Sequence, residues 1–145
     1  MTAEVFAKDE GTWDAEVEVR PGPTAEVQKS KGVMTARRIA GGAWLVMDFK
    51  NESGFEGHGV FGWDPMKKRY VGVWVDPMRT SLAPMEGDWD PEKKTMTMHG
   101  EMTLADGRKI TWREVTETVD PSTQIFRTFL GGESEMMKVV YRRRA

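Results

Sequence analysis

The chain has 145 residues, of which 39% are hydrophobic and 30% are charged, and this length and balance predict one globular domain over residues 1–145. Its formal net charge of −2 argues against nucleic acid or a membrane surface as a partner. The absence of cysteine excludes disulfides, thiol nucleophiles and thiolate metal sites. No apolar stretch reaches the roughly 18 residues of a membrane-spanning helix, and Glu4, Lys8 and Asp9 stand where a signal peptide needs an apolar run, so we expect a cytoplasmic protein.

After a short predicted helix at 3–8, the chain is rich in strand-forming residues. Fourteen valines and thirteen threonines outnumber four leucines, a β-branched bias that favours pleated, half-buried strands. The candidate strands are 12–19, 25–31, 33–40, 43–50, 56–63, 69–76, 85–89, 95–104, 109–119, 124–130 and 136–142. Short Asp-Pro, Asp-Gly and Gly-Gly turns separate most of them. We predict about ten strands in a sandwich or an up-and-down barrel, with 1–10 as helix or tail and 11–143 as the β structure.

One turn sequence occurs twice, as residues 63–69 (WDPMKKR) and 89–95 (WDPEKKT). Aspartate can accept hydrogen bonds from the backbone ahead of it, proline presets the next φ angle, and the two lysines solvate the tip. We interpret the repeat as one hairpin turn used twice rather than as a domain duplication. It predicts that Trp63 pairs with Tyr70 across the first turn.

The first turn also fixes which side chains share a face. It places Phe61 opposite Gly72 and Trp74 opposite Gly59, so that large rings lie over glycines, and we take this aromatic face as the interior. A five-residue loop at 51–55 extends the same face to the preceding strand.

Within that preceding strand, the loop turns Leu45, Met47 and Phe49 inward. The opposite face then pairs Asp48 with His58, outside the predicted interior.

In the second half, a two-residue turn at Asp106-Gly107 sets the register. It leaves His99 on the outer face, opposite Glu114. The residues that it turns inward are Met98, Gly100, Met102, Thr111, Arg113 and Val115.

The interior also receives one arginine from the second strand region. A two-residue turn at Gly41-Gly42 brings Arg38 to the inner face together with Met34 and Ala36. A turn of another length would bring Arg37 there instead.

Several segments resemble a known family. Gly11-Thr12-Trp13 resembles the Gly-x-Trp opening of lipocalin-like barrels. Residues 37–42 (RRIAGG), 55–64 (FEGHGVFGWD), 70–76 (YVGVWVD) and 137–143 (MKVVYRR) resemble a bacterial family of uncharacterised proteins, family 1579 of the domains of unknown function. The resemblance spans most of 11–143 and implies an antiparallel, lipocalin-like barrel without an established activity or catalytic residues. Trp63 stands where the family usually has tyrosine, which would alter the pocket wall.

The sequence carries no motif for nucleophilic or nucleotide-dependent catalysis. It contains no Gly-x-Ser-x-Gly elbow, no phosphate loop and no Gly-x-Gly-x-x-Gly that opens a helix. The two histidines, beside Asp48 and Glu114 in the predicted registers, favour exposed cross-strand ion pairs over a metal site. We therefore predict neither a cofactor nor a bound metal.

The predicted interior points to ligand binding. Six of the eleven methionines fall inside with several aromatic rings, and such an adaptable wall suits an apolar ligand. Arg38 and Arg113 add a site for an acidic group. The predicted ligand-binding residues are Arg38, Met47, Phe61, Trp63, Trp74, Asp76, Met98, Arg113 and Tyr141. The predicted partner is a small apolar or acidic-apolar molecule.

Two other functions fit the same pattern. A cofactor-free isomerase or hydrolase would use Asp76 or Glu117 as a general base and an arginine to stabilise negative charge. A scaffold or interaction protein would have a barrel filled by its own side chains. The volume of the interior separates the third function from the first two.

The outer face predicts self-association. The registers place Val46 against Val60 and Val60 against Val73, with Val71, Val75 and Trp44 nearby. This apolar strip would need a helix or a second subunit to cover it, and a two-fold homodimer is the commonest arrangement.

Overall fold

The computed structural model describes residues 2–22, 24–78 and 81–145. Its ten strands are β1 Gly11–Val19, β2 Gln28–Ile39, β3 Trp44–Asn51, β4 Glu56–Asp64, β5 Arg69–Val75, β6 Met85–Asp90, β7 Thr95–Thr103, β8 Lys109–Asp120, β9 Thr123–Leu130 and β10 Glu135–Arg143. A 3₁₀ helix, Ala3–Asp9, precedes them, and a 3₁₀ turn, Ala40–Gly42, links β2 to β3. Neither of these helical segments has the length and apolar character needed to cross a bilayer.

The strands form one closed barrel. Each strand pairs antiparallel with the next along the chain, and β1 pairs with β10 to complete the circle. This arrangement confirms the predicted antiparallel up-and-down barrel. The predicted strands 25–31 and 33–40 are one strand, β2, because Gly32 stays in the ladder opposite Ala15 and Asn51. Gly32 does not break the strand, and its missing side chain leaves room for the ring of Phe49.

The repeated turn has the predicted chemistry in both places. Oδ1 of Asp64 accepts hydrogen bonds from the backbone N–H groups of Met66 and Lys67 at 2.9 and 3.0 Å. Oδ1 of Asp90 accepts the two corresponding bonds at 2.9 and 3.2 Å. Lys68 and Lys94 occupy the same left-handed position, with φ of 54° and 51°.

The first half of the barrel has the predicted registers. Trp63 lies opposite Tyr70, and Phe61 lies opposite Gly72. A Cβ atom at Gly72 would fall within the ring of Phe61, so the glycine makes room for an aromatic side chain that spans the inner face. Asp48 lies opposite His58 on the outer face, as predicted.

The register between β7 and β8 differs from the prediction by one residue. The predicted two-residue turn is a five-residue loop, 104–108, in which Leu104 N donates to Arg108 O at 2.8 Å and Gly107 N donates to Leu104 O at 2.9 Å. Gly107 has a φ of +87°, which glycine adopts readily. His99 therefore lies opposite Arg113, not Glu114.

A shift of one residue turns every side chain of β8 to the other face. The inner face of β8 carries Trp112, Glu114 and Thr116. Trp112 is 4% exposed and covers Gly100, and this burial stabilises the observed register over the predicted one. The predictions that Thr111, Arg113 and Val115 face inward are wrong.

The N-terminal helix closes one end of the barrel. Phe6 is 5% exposed and meets the ring of Tyr70 edge-on, with 5.5 Å between centroids. The Tyr70 hydroxyl donates to Thr2 O at 2.8 Å, and Trp13 Nε1 donates to Asp9 O at 2.9 Å. We call this the closed end, and the other the open end.

The predicted outer strip forms as expected. Val46 lies opposite Val60, and Val60 lies opposite Val73. Val60 and Trp44 are each 38% exposed, because the N-terminal helix packs at the closed end and not over this strip. Homodimerisation through the strip stays a prediction.

Candidate functional site

A cavity of about 500 Å³ runs through the barrel interior. It extends from Phe6 at the closed end to Phe55 and Met78 at the open end. Met78 is 83% exposed, so the cavity is continuous with solvent there. The predicted alternative of a barrel filled by its own side chains is wrong.

One half of the cavity wall is apolar. Its side chains come from β2 to β5 and from β7, and all six methionines that were predicted to lie inside line the cavity. The apolar lining of these strands includes Met34, Leu45, Met47, Phe49, Phe61, Trp74, Met96, Met98 and Met102. Unbranched methionine side chains let such a wall adapt to the shape of an apolar ligand.

The opposite wall carries a polar arc, which we define as Glu114 and Thr116 of β8, Gln124 and Thr128 of β9, and Tyr141 of β10. The registers bring these residues together, since Glu114 lies opposite Thr128 and Gln124 lies opposite Tyr141. Burial raises the pKa of the Tyr141 hydroxyl, and the negative charge of Glu114 raises it further. Tyr141 therefore stays protonated and can donate a hydrogen bond.

Asp76 lies near the open end of the cavity. Its Oδ2 accepts a hydrogen bond from Trp74 Nε1 at 2.9 Å, and its Oδ1 accepts one from Met78 N at 2.8 Å. These bonds fix the Trp74 indole against the cavity wall. Asp76 therefore positions Trp74 at the open end of the cavity. The sequence predicts Asp76 on the inner face but does not predict this role.

Six of the nine predicted ligand-binding residues line the cavity. They are Met47, Phe61, Trp74, Asp76, Met98 and Tyr141. Trp63 packs against Tyr70 instead, with 4.8 Å between ring centroids, near the closed end. Contact of the six lining residues with a ligand stays a prediction.

Arg38 is on the inner-face register of β2 but sits at the rim of the closed end. Its Nε is 2.8 Å from Glu10 Oε1, and its Nη1 is 3.1 Å from Glu4 Oε2. The hydrogen bonds that Arg38 donates to Glu10 and Glu4 raise the pKa of Arg38, and the bond to Glu10 lowers the pKa of that carboxyl. The inward arginine finds its acceptors within the chain, and it does not line the cavity.

Arg113 lies on the outer face, which corrects the prediction. Its Nη2 is 3.4 Å from Glu133 Oε2, and its guanidinium stacks over the ring of Phe129 at 4.3 Å. The one-residue shift of β8 puts it there. Among the described residues, no arginine lines the cavity.

The predicted catalytic pair is not assembled in the described part of the chain. Glu117 lies on the outer face, where its Oε1 is 3.8 Å from Nη1 of Arg127. Asp76 reaches the cavity, but its oxygens accept the two bonds above. With both predicted arginines outside the cavity lining, the isomerase or hydrolase hypothesis loses the charge that was to stabilise its intermediate.

The histidines lie away from the cavity. His58 Nδ1 is 2.6 Å from Asp48 Oδ1, and His58 Nε2 is 2.9 Å from Glu56 Oε2. His99 is exposed on β7. Within residues 2–22, 24–78 and 81–145, no group of three or more potential ligands is placed to hold a metal ion.

We expect the imidazole of His58 to titrate above its ordinary pKa of about 6.5. Hydrogen bonds to Asp48 and Glu56 favour the charged ring and raise this pKa. The ion pairs therefore stabilise the fold at pH below about 6.5, and this contribution is lost as pH rises through the folded pKa. Because the His58 side chain is 42% exposed, the contribution is small.

The measurement is an NMR titration of the His58 ring. Asp48→Asn should lower the pKa of His58, since it removes the first of the two acceptors. A His58 pKa at or below 6.5 in the wild type would contradict the ion pairs.

The chain matches a known protein family over nearly its whole length. The model of a protein family of unknown function, DUF1579, matches residues 2–143. The chain belongs to this family. No curated protein matches the sequence.

One solved structure confirms the fold of this family member. The S-type phycobiliprotein lyase CPES from Guillardia theta is 11% identical, covers 100% of this chain and 94% of its own, and superposes with a TM-score of 0.67. A de novo designed fluorescence-activating β-barrel is 15% identical over 98% of this chain and 96% of its own, with a TM-score of 0.46. A redesigned β-barrel is 13% identical over 99% and 96%, with a TM-score of 0.43. The last two likenesses are too weak to carry an argument, and the first shows the fold alone.

Proposed function

We propose that this protein binds a small, mainly apolar molecule inside the barrel. The open cavity of about 500 Å³ carries the proposal, because its volume lies within the range of ligand pockets, about 300–1,000 Å³. The apolar lining supplies the driving force for transfer of an apolar molecule from water. The polar arc supplies the few directed contacts that orient a ligand in such a pocket.

Neither predicted arginine lines the described part of the cavity, and this favours a neutral ligand over an acidic one. The charged side chains in the described lining are Lys8, Asp9, Asp76 and Glu114. Lys8 Nζ is 2.9 Å from Asp9 Oδ2, so its charge is already compensated. A ligand carboxylate would lose its hydration without gaining either predicted arginine, which costs several kcal/mol. The proposal therefore keeps the apolar ligand that the sequence predicts and leaves out its acidic group.

The test compares laurate with its methyl ester as quenchers of the six tryptophans. We expect the ester to bind at least about tenfold more tightly, a difference of about 1.4 kcal/mol. Trp74→Phe should remove much of the fluorescence change, because Trp74 lines the cavity. Trp44→Phe is the matched control, because Trp44 lies on the outer face.

Two results would count against the proposal in different ways. If neither compound binds the wild type, the cavity is not an apolar ligand site. If laurate binds more tightly than the ester, the cavity binds ligands but the charge argument is wrong.

A further inference from the structure

Tyr141 is a polar residue of the cavity whose hydroxyl is available to a ligand. The chain has two tyrosines. The Tyr70 hydroxyl donates to Thr2 O at 2.8 Å. Tyr141 lines the cavity, and within the described residues its hydroxyl makes no hydrogen bond.

The environment of Tyr141 makes its hydroxyl a permanent donor. Burial is the larger cause that raises the pKa of Tyr141, and the charge of Glu114 adds to it. The phenol therefore keeps its proton throughout the physiological range. The hydroxyl belongs to the cavity lining, where an acceptor on a ligand can reach it.

Two neighbouring polar groups of the cavity, Gln124 and Glu114, differ from Tyr141 in what they can donate. Gln124 Nε2 donates to Asp9 Oδ1 at 2.8 Å, which ties the carboxamide to the closed end. An ionised Glu114 has acceptor oxygens only. Tyr141 carries neither constraint, so an acceptor on a ligand can find its donor there.

We propose that the Tyr141 hydroxyl donates a hydrogen bond to a neutral acceptor oxygen of the bound molecule. The ligand class is then an apolar molecule with a ketone, ester or ether oxygen, and this inference rests on the proposed function. The apolar wall opposite, with Met47, Phe61 and Met98, takes the hydrocarbon part of the molecule. A bound apolar molecule displaces water from the contact, so the hydrogen bond is stronger there than in solution.

The test uses acetylnaphthalene and ethylnaphthalene, substituted at the same ring position. The two differ in the carbonyl oxygen and are close in shape. Calorimetry should show that Tyr141→Phe weakens acetylnaphthalene binding about fivefold, which corresponds to the net value of one hydrogen bond, about 1 kcal/mol. Ethylnaphthalene binding should change by less than about twofold. Tyr70→Phe is the control and should alter neither affinity, because Tyr70 does not line the cavity.

The outcomes separate the inference from the proposed function. If neither compound binds the wild type, the proposed function itself is wrong. If both bind and Tyr141→Phe weakens both equally, or neither, ligand binding stands and the assignment of the donor is overturned.

A second measurement does not depend on how the variant folds. In the wild-type complex, the carbonyl stretch of acetylnaphthalene should move to lower frequency than in cyclohexane, as hydrogen bonding requires. An unshifted band would overturn the inference.

Discussion

Gly87→Ala should lower the free energy of unfolding by about 3 kcal/mol or more. Gly87 lies in β6, opposite Tyr70 of β5 and Met98 of β7. A Cβ atom there would overlap the carbonyl oxygen of Thr97. This oxygen belongs to the backbone and not to a flexible side chain. The overlap can be removed only if β6 and β7 move apart, which breaks hydrogen bonds between the two strands.

Gly22→Ala is the matched control. A Cβ atom at Gly22 would meet no heavy atom within 4 Å, so the free energy of unfolding should change by no more than about 0.5 kcal/mol. Gly72→Ala should fall between the two, because its obstacle is the ring of Phe61, which can rotate. Urea denaturation of the three variants measures the series. Equal midpoints for Gly87→Ala and the wild type would contradict the close approach of β6 and β7.

Thr116→Trp should weaken the binding of a neutral apolar dye, N-phenylnaphthylamine, by more than about tenfold. Thr116 lies on the inner face of β8, opposite Met96 of β7 and Phe126 of β9, and it lines the cavity. An indole at this position would occupy the middle of the space that the dye needs. The dye should lose affinity because the indole and the dye compete for the same volume. The variant should still fold.

Thr111→Trp is the control for this variant. It makes the same substitution in the same strand, but Thr111 is exposed on the outer face. Its affinity for the dye should stay within about twofold of the wild type. The two-residue turn predicted at Asp106-Gly107 would reverse the two results, so dye fluorescence titrations of the pair also test the register of β8.

The sequence predicts the first half of the barrel well because its two faces differ sharply. Phe61 and Trp74 alternate with valines and face glycines across the strands, so a one-residue slip would put rings on rings. The turn with Asp64 fixes the register of that hairpin. The inner positions of Met47, Phe61 and Trp74 follow from these two local constraints.

The faces of β8 cannot be told apart in this way. One face carries Thr111, Arg113 and Val115, and the other carries Trp112 and Glu114, so each mixes charge with apolar surface. The register then depends on the loop 104–108, whose length is decided by backbone hydrogen bonds and the left-handed φ of Gly107. A one-residue error in that loop moves Arg113 into the cavity and Glu114 out of it.

Contacts between residues far apart in the sequence are the other feature that the sequence pattern does not predict. The sequence pattern places Arg38 on the inner face but does not give its height along the barrel. Glu10 and Glu4 meet it only because the N-terminal helix folds back over the closed end. Apart from Tyr141, the sequence misses the polar arc, since β9 with Gln124 and Thr128 shows no clear alternation of polar and apolar residues.

We expect the cavity, and not the outer surface, to receive the apolar molecule. NMR of isotope-labelled methionine methyl groups tests it most directly, because methionines stand at informative places. Met47, Met98 and Met137 line the cavity. Met85 is 1% exposed and packs in the core, but it does not line the cavity. Met66 is 91% exposed in the turn between β4 and β5.

On titration with N-phenylnaphthylamine, the methyl signals of Met47, Met98 and Met137 should shift together and saturate at an equimolar amount of the dye. The signal of Met66 should stay in place, and that of Met85 should move far less than those of the lining methionines. Unchanged signals for the lining methionines, or a shift of Met66 as large as theirs, would contradict a ligand site inside the barrel.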